Sequence, residues 1–434
     1  MGSSLCSTST AEYCGVNEGV KIGDMTLSSL FVDDAIDMSD TLQSRQESHE
    51  QAVNFTKENN LSLSGSKCFG MAMNTEVEPP ELTIDSQKKV VPASVIVYLG
   101  DPFNEKGNND DLMDDRVKRG TKASNCITAL VRENYLGKYE ISVWLLLYRS
   151  LFLSTVLFNA QTWSKLKESD MAKLRVLQMR LLKRMVGVPT STTNSFLLLE
   201  LGVLPIDEEI HKRQLMYLHR ILTLPNDDPV HQMFVNMIKL DGQGESNWWS
   251  GVKKLLPKYN LPKLEEIKTM SKNSYKRLVN KAVEEGGFER LQRDCKTKSK
   301  TRHLSYVSFG MRKYLKELFP NQAKMVLKSR CNLLDLKSHR PYMYPDTLCR
   351  KCQSETETFD HVVNCGFEEK DHIQLDVTKV EEEWLSGAMA YDISRITLRL
   401  DVFTEIETTT LGGKKRKKDS VGCNDEDVHE HGCS

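Results

Sequence analysis

Over the first hundred residues, short β-prone runs alternate with Gly, Asp and Pro, the punctuation of hairpins rather than of helices. Residues 20–22 and 27–32 flank Gly23-Asp24, which predicts a β-hairpin within residues 18–38. Residues 41–60 are polar, with Leu42, Ala52, Val53 and Phe55 as the apolar positions, and predict a helix stopped by Asn59-Asn60. Leu61-Ser62-Leu63 alternates as a strand would, and residues 90–99 form another strand-like run closed by Gly100-Asp101-Pro102. Beyond about residue 110 the period becomes helical. Leu174, Leu177, Leu181 and Met185 recur at helical spacing between an expected N-cap at Ser169-Asp170 and a stop at Gly187. Residues 205–222 begin with Asp207, Glu208 and Glu209 and end with Arg220, as a helix dipole favours. Residues 242–251, with Trp248-Trp249, read as a connector, followed by basic helical stretches over 263–297 and 310–330. No internal repeat is present in this pattern.

One apolar run, residues 141–160, has about the ~20 residues a bilayer crossing needs. Arg149 stands at its centre and Ser150, Ser154 and Asn159 interrupt it, so it predicts a buried helix with the arginine aimed at a groove, not a membrane protein.

Composition adds class and charge. The chain has 434 residues, 39% hydrophobic and 27% charged, an ordinary globular mixture with room for several cores. Eleven cysteines in this length are too few and too scattered for a disulfide scaffold, which with no signal-peptide pattern predicts a reducing, intracellular setting. The formal net charge of -1 conceals a gradient. Residues 1–110 hold 7 basic and 17 acidic residues, residues 111–340 hold 41 and 23, and residues 341–434 hold 11 and 20. A middle with a net charge of +18 between acidic ends suits a polyanion, although a solvated lysine-rich surface gives the same count. Lys414-Lys415-Arg416-Lys417-Lys418 reads equally as a nuclear-import or polyanion-binding cluster or as a solvated charge run. The tail from about 408 has a disordered composition.

The densest candidate chemistry is Leu30-Phe31-Val32-Asp33-Asp34-Ala35-Ile36. Adjacent carboxylates on an apolar hairpin repel and are desolvated, a cost that divalent cations offset. Two-metal phosphoryl transfer uses such carboxylates as Mg²⁺ ligands, while a plain hairpin turn also favours Asp. The residues that follow are a helix, then Asn60-Leu61-Ser62-Leu63-Ser64-Gly65-Ser66-Lys67, then Tyr98-Leu99-Gly100. This order resembles the reverse transcriptase palm of non-LTR (LINE-like) retrotransposons. Leu147-Tyr148, Phe158-Asn159, Met185-Val186-Gly187, Leu199-Glu200-Leu201-Gly202 and Lys212-Arg213 extend the likeness collinearly over roughly residues 18–370. The resemblance implies Asp33 as catalytic metal ligand with Asp34 beside it, and Lys67 as the acid approaching pyrophosphate. It further implies that Tyr98, Leu99 and Gly100 position the primer end. The +18 helical region makes Arg149, Arg175, Arg180, Lys183 and Arg184 the expected nucleic-acid contacts. Lys67 reads equally as a solvated turn lysine.

Such a palm also needs a metal-binding Asp and a Gly-rich segment before the hairpin, and only 32 residues precede Asp33. The expectation is therefore a C-terminal part of a longer polyprotein, without polymerase activity alone, whose partners are RNA, DNA and the missing N-terminal part. A domesticated nucleic-acid-binding zinc protein and a decayed fragment are the alternatives. No nuclease is expected after residue 365.

Cys349-x2-Cys352-x8-His361-x3-Cys365 has the spacing of a tetrahedral zinc knuckle, with no open position and hence a structural Zn²⁺. Unrelated buried thiols are the competing reading, and His372 lies too far along to be preferred. The fold expected is α+β: a partial palm over 1–107 and a helical thumb over 108–240. A basic helical connector over 241–340, the knuckle over 341–370 and a remnant with a loose tail over 371–434 complete it. The nucleus is the expected location.

Overall fold

The structure is a computed structural model that describes residues 21–22, 25–26, 28–31, 34–39, 41–75, 82–84, 88–130, 141–374, 392–393 and 395–400. The chain is α+β and mostly helical, and it divides into one unit up to Cys331 and another from Asn332.

In the first unit the described strands form pairs rather than one larger sheet. Lys21–Ile22 (β1) pairs with Met25–Thr26 (β2), and Ser28–Phe31 (β3) pairs with Asp34–Asp37 (β4), both antiparallel. The expected single hairpin across Gly23-Asp24 is thus two successive ones, the second with Phe31 opposite Asp34. Phe69–Gly70 (β5) runs parallel to Val91–Pro92 (β6), and Val95–Tyr98 (β7) pairs antiparallel with Asp101–Asn104 (β8). Leu61-Ser62-Leu63 is not a strand but a loop leading into a 3₁₀ turn at Gly65–Lys67. With Leu61 exposed and no strand paired to it among the described residues, two-residue alternation alone did not make a ladder.

Helix α1, Leu42–Glu58, starts where Thr41 accepts from the Ser44 N–H, and ends ahead of Asn60 in the left-handed region at φ 53°. Asp110–Leu130 (α2) is followed by Ile141–Leu147 (α3), a π-helical Tyr148–Leu153 and Ser154–Val156. Trp144, Leu145, Tyr148, Phe152 and Val156 are buried, but Val143, Leu146, Arg149 and Leu151 are exposed. This segment is buried along one side, and Arg149 lies on its exposed side. Among the described residues no helix is long and apolar enough to cross a membrane.

Glu168–Val186 (α4) begins one residue ahead of the expected cap, with Lys167 at the N-cap, and closes at Gly187 with φ 67°. It packs on α2, where Gly120 lies so close that a Cβ would stand 2.5 Å from Val156 and 2.7 Å from Leu177. Asn194–Leu201 (α5) and Ile206–Leu222 (α6) follow, then Pro229–Gly242 (α7), Trp248–Val252 (α8), Lys272–Thr297 (α9) and Pro320–Arg330 (α10). Helix α9 buries Tyr275, Val279, Val283, Gly287, Leu291 and Cys295, a strict four-residue ridge laid against α5 and α6.

The core that this ridge closes runs from Leu204 through Phe234, Trp248 and Trp249 to Val283. It passes straight through the position near 240 where the sequence suggested a boundary, and Trp248-Trp249 is part of it rather than of a connector. The reason is apolar area: two large indoles with Phe234 edge-on to both bind α7 and α8 to α6.

Beneath α5 lies a buried ionic knot. The Glu200 carboxylate accepts from Tyr306 at 2.8 Å, Tyr314 at 2.7 Å and the Arg330 Nε at 3.0 Å. Leu201 bridges to Met311, and Gly202, at φ 59°, is where a Cβ would sit 2.2 Å from the Met311 nitrogen.

Candidate functional site

In the second unit, Leu348 and Thr356 form an antiparallel bridge that folds the Cys349-x2-Cys352 turn, with Gln353 in the left-handed region at φ 56°. Phe359–Asn364 (α11) is capped by Thr358, whose hydroxyl accepts from the His361 N–H, and carries His361 one turn before Cys365. The donor atoms of Cys349, Cys352, His361 and Cys365 all lie within 4.8 Å of one another. Cys349 and Cys365 sulfurs are 3.9 Å apart, and Cys352 Sγ is 3.3 Å from His361 Nε2. A tetrahedral zinc with Zn–S ~2.3 Å and Zn–N ~2.0 Å requires separations of ~3.8 and ~3.6 Å. The four donors could therefore hold a metal ion, and no position would remain for a substrate.

Surrounding groups orient these donors. Glu355 Oε2 is 3.0 Å from His361 Nδ1, the orienting contact that a metal bound through Nε2 would require. Ser354 donates its hydroxyl to Cys352 Sγ at 3.1 Å. That bond, then the backbone N–H groups of Ser354 and Glu355, pull the Cys352 thiol down to about 6. Burial, followed by the charge of Cys349, pushes Cys365 up to about 12. Beneath the knuckle, a fully buried Glu357 binds the Arg350 guanidinium at 2.6–3.0 Å and accepts from the Lys337 N–H at 2.8 Å. His372 gives its Nε2 to the Phe367 carbonyl at 3.0 Å and is outside the cluster.

The other sequence-predicted residues are placed as follows. Asp33 and the Asp34 side chain fall outside the described residues, so the Mg²⁺ expectation is carried by no contact; Asp34 opens β4. Lys67 is exposed in its 3₁₀ turn. Tyr98 faces Asp101 across a two-residue turn in which Leu99, at φ 49°, and Gly100, at φ 85°, are both left-handed, a type I′ hairpin. That turn is held from below. Asp101 binds the fully buried Arg116 and accepts from Asn159 Nδ2 at 2.8 Å, and the Arg116 guanidinium lies over the Phe158 ring. The Tyr98-Leu99-Gly100 and Phe158-Asn159 motifs, far apart in the chain, are brought together here.

Two of the five predicted nucleic-acid contacts are engaged inside the fold. Arg175 is tied by Asp207, with Nε 2.9 Å from Oδ2, and by Glu168. Lys183 is buried and donates to the Thr190 carbonyl at 2.6 Å. Carboxylates thus answer the charge of Arg175, while Lys183 is tied down by a neutral carbonyl. Arg149, Arg180 and Arg184 are exposed, with no ion-pair partner among the described residues.

No protein-family model, curated protein or solved structure matches the chain.

Sequence reasoning missed Glu355, the Arg350–Glu357 pair and the Arg116–Asp101–Asn159 clamp. Only Glu355 had a signal: a carboxylate inside the ligand loop, where an orienting partner for histidine is needed.

Proposed function

We propose that this chain is a nucleic-acid-binding protein with a structural zinc knuckle, derived from the reverse transcriptase of a non-LTR retrotransposon and without polymerase activity by itself. The observation that carries the zinc assignment is the close convergence of three thiols and one oriented imidazole, a donor set that selects Zn²⁺ and leaves no open coordination position. The ion would fasten α11 to the Cys349 turn and do no chemistry on a substrate. Supporting the family reading, two of the quoted motifs meet in space, with Asn159 donating to Asp101 beside the Tyr98-Leu99-Gly100 turn. The +18 middle and the exposed Arg149, Arg180 and Arg184 support a polyanionic partner.

The test joins metal analysis, binding and primer extension on the purified full chain. One zinc per chain is expected, lost in Cys352→Ala, with binding to RNA or DNA that weakens as salt rises. No extension of a primer on an RNA template with Mg²⁺ is expected. A zinc-free folded chain or the absence of nucleic-acid binding would overturn the reading. Extension that disappears in Asp33→Ala would show a complete polymerase instead.

A further inference from the structure

We propose that the outward face of α6 is a single-strand nucleic-acid groove, in which Lys212, Arg220 and Lys272 hold phosphates and Tyr217 stacks a base. This rests on the nucleic-acid reading above and locates it at residues that the motif likeness did not assign to binding. An open cavity of about 720 Å³ runs along this face, lined from Glu209 to Thr223 of α6 and closed at one side by Lys272 of α9. The lining positions Glu209, Lys212, Arg213, Met216, Tyr217 and Arg220 recur at three- and four-residue steps, which aligns them in one stripe.

Charge in the groove is one-sided. Four lining residues are cationic, and the one lining carboxylate, Glu209, is already bound by Arg213 at 2.9 Å. Lys212, Arg220 and Lys272 have no ion-pair partner among the described residues. Lys272 also opens α9, whose first turn is positive along the helix dipole. Lys212 and Arg220 are eight positions apart, about 12 Å along the helix. That span accommodates about three phosphates at the ~3.4 Å per-strand spacing of a duplex, and fewer on an extended strand.

The floor separates single strand from duplex. Between the cations lie half-buried Met216 and Tyr217, and the Tyr217 ring is fixed edge-on to Trp248, with centroids 5.8 Å apart at 81°. An aromatic ring lining a concavity offers an unstacked base a stacking partner; a duplex presents only its backbone and groove edges to such a surface.

The experiment is fluorescence anisotropy of the full chain with a labelled 20-nucleotide RNA, the same sequence as DNA, and a DNA duplex, over a salt series. The groove variant is Lys212→Ala/Arg220→Ala/Lys272→Ala. The charge-matched control is Lys281→Ala/Arg293→Ala/Lys296→Ala, all exposed on α9 away from the cavity. At about 0.1 M salt the groove variant is expected to bind single strands about ten- to a hundredfold more weakly, and its log–log salt slope to flatten by about 2, or ~0.7 per lost contact. The control should change affinity no more than about threefold, and circular dichroism should report both variants as folded. Equal losses in both variants, full retention in the groove variant, or preference for duplex would overturn the groove while leaving nucleic-acid binding in place. An unaltered chain that binds none of the three probes would overturn both. RNA tighter than DNA, or the reverse, tells which single strand the groove takes.

Discussion

The Glu200–Arg330 pair allows a quantitative test of how the helical unit is held together. Both side chains are fully buried, 0% exposed, so neither charge can recover hydration if its partner is removed. Arg330→Met keeps most of the aliphatic volume but, among the described residues, leaves the Glu200 carboxylate to the two tyrosine hydroxyls. Breaking a buried pair from one side costs ~3–5 kcal/mol, and two retained O–H donors, each worth about 1 kcal/mol, place the expectation near the lower figure. Glu200→Gln takes from the Arg330 guanidinium the buried carboxylate it is bound to and belongs in the same range. The double variant removes both charges from the interior and with them most of the desolvation penalty, so it should cost less than either single change. The coupling energy is then several kcal/mol, far above the ~0.3–0.5 kcal/mol scatter of independent sites. Urea unfolding followed by tryptophan fluorescence reads this directly, since Trp248 and Trp249 lie in the core of the same unit. Additive singles, or an Arg330→Met cost under about 1 kcal/mol, would show that the pair is not an isolated buried ion pair and would refute the argument.

Three further outcomes follow from the geometry. His211 is held down to about 4, chiefly by burial and then by Lys258, while its Nδ1 accepts from Tyr259 at 2.8 Å; Asp207, Glu208, Arg175 and Arg290 complete the surroundings. A folded pKa below the unfolded 6.5 gives stability that is complete above pH 6.5 and lost as pH falls toward 4. About 3 kcal/mol should disappear across that window and His211→Gln should flatten the loss, as measured by urea unfolding at several pH values. Gly202→Ala forces a Cβ against the Met311 backbone from a left-handed residue, so a loss of ~2 kcal/mol or more and a broken Leu201–Met311 bridge are expected by the same unfolding assay. Glu355→Gln removes the carboxylate that orients His361, and should weaken zinc binding about 10- to 100-fold in competition with a chelator while leaving the stoichiometry unchanged.

How much was legible in the chain depended on whether the signal was local. The α4 stripe of Leu174, Leu177, Leu181 and Met185, the Gly187 stop and the helix within residues 41–60 are set by neighbours a few residues apart, and the helices lie where that periodicity put them. The four metal donors were legible for the same reason, because two short spacings fix their approach. Strand partners were not. Whether residues 28–31 pair backward or forward depends on which hairpin closes, and Leu61-Ser62-Leu63 has no strand partner among the described residues. The Trp248-Trp249 segment read as a linker because glycines flank it, and only contact with Phe234 and α6 makes it core.

The charge count suffered most from being one-dimensional. A surplus of 18 cations over residues 111–340 suggests a uniformly basic surface, yet Arg175, Lys183, Arg290, Arg312 and Arg330 are engaged by carboxylates or carbonyls of the fold. Several of their partners, Glu200, Asp207 and Glu208, are buried as well, so these pairs position α5 and α6 instead of attracting a ligand. Pairing removes positive and negative charge together, so the net surplus persists on fewer, exposed cations, and location decides what it can bind. Lys212, Arg220 and Lys272 share a concave surface with an aromatic floor, whereas the lysines along the outer face of α9 meet open solvent. A polyanion gains counterion release from both sets, but only the first also offers a base somewhere to stack.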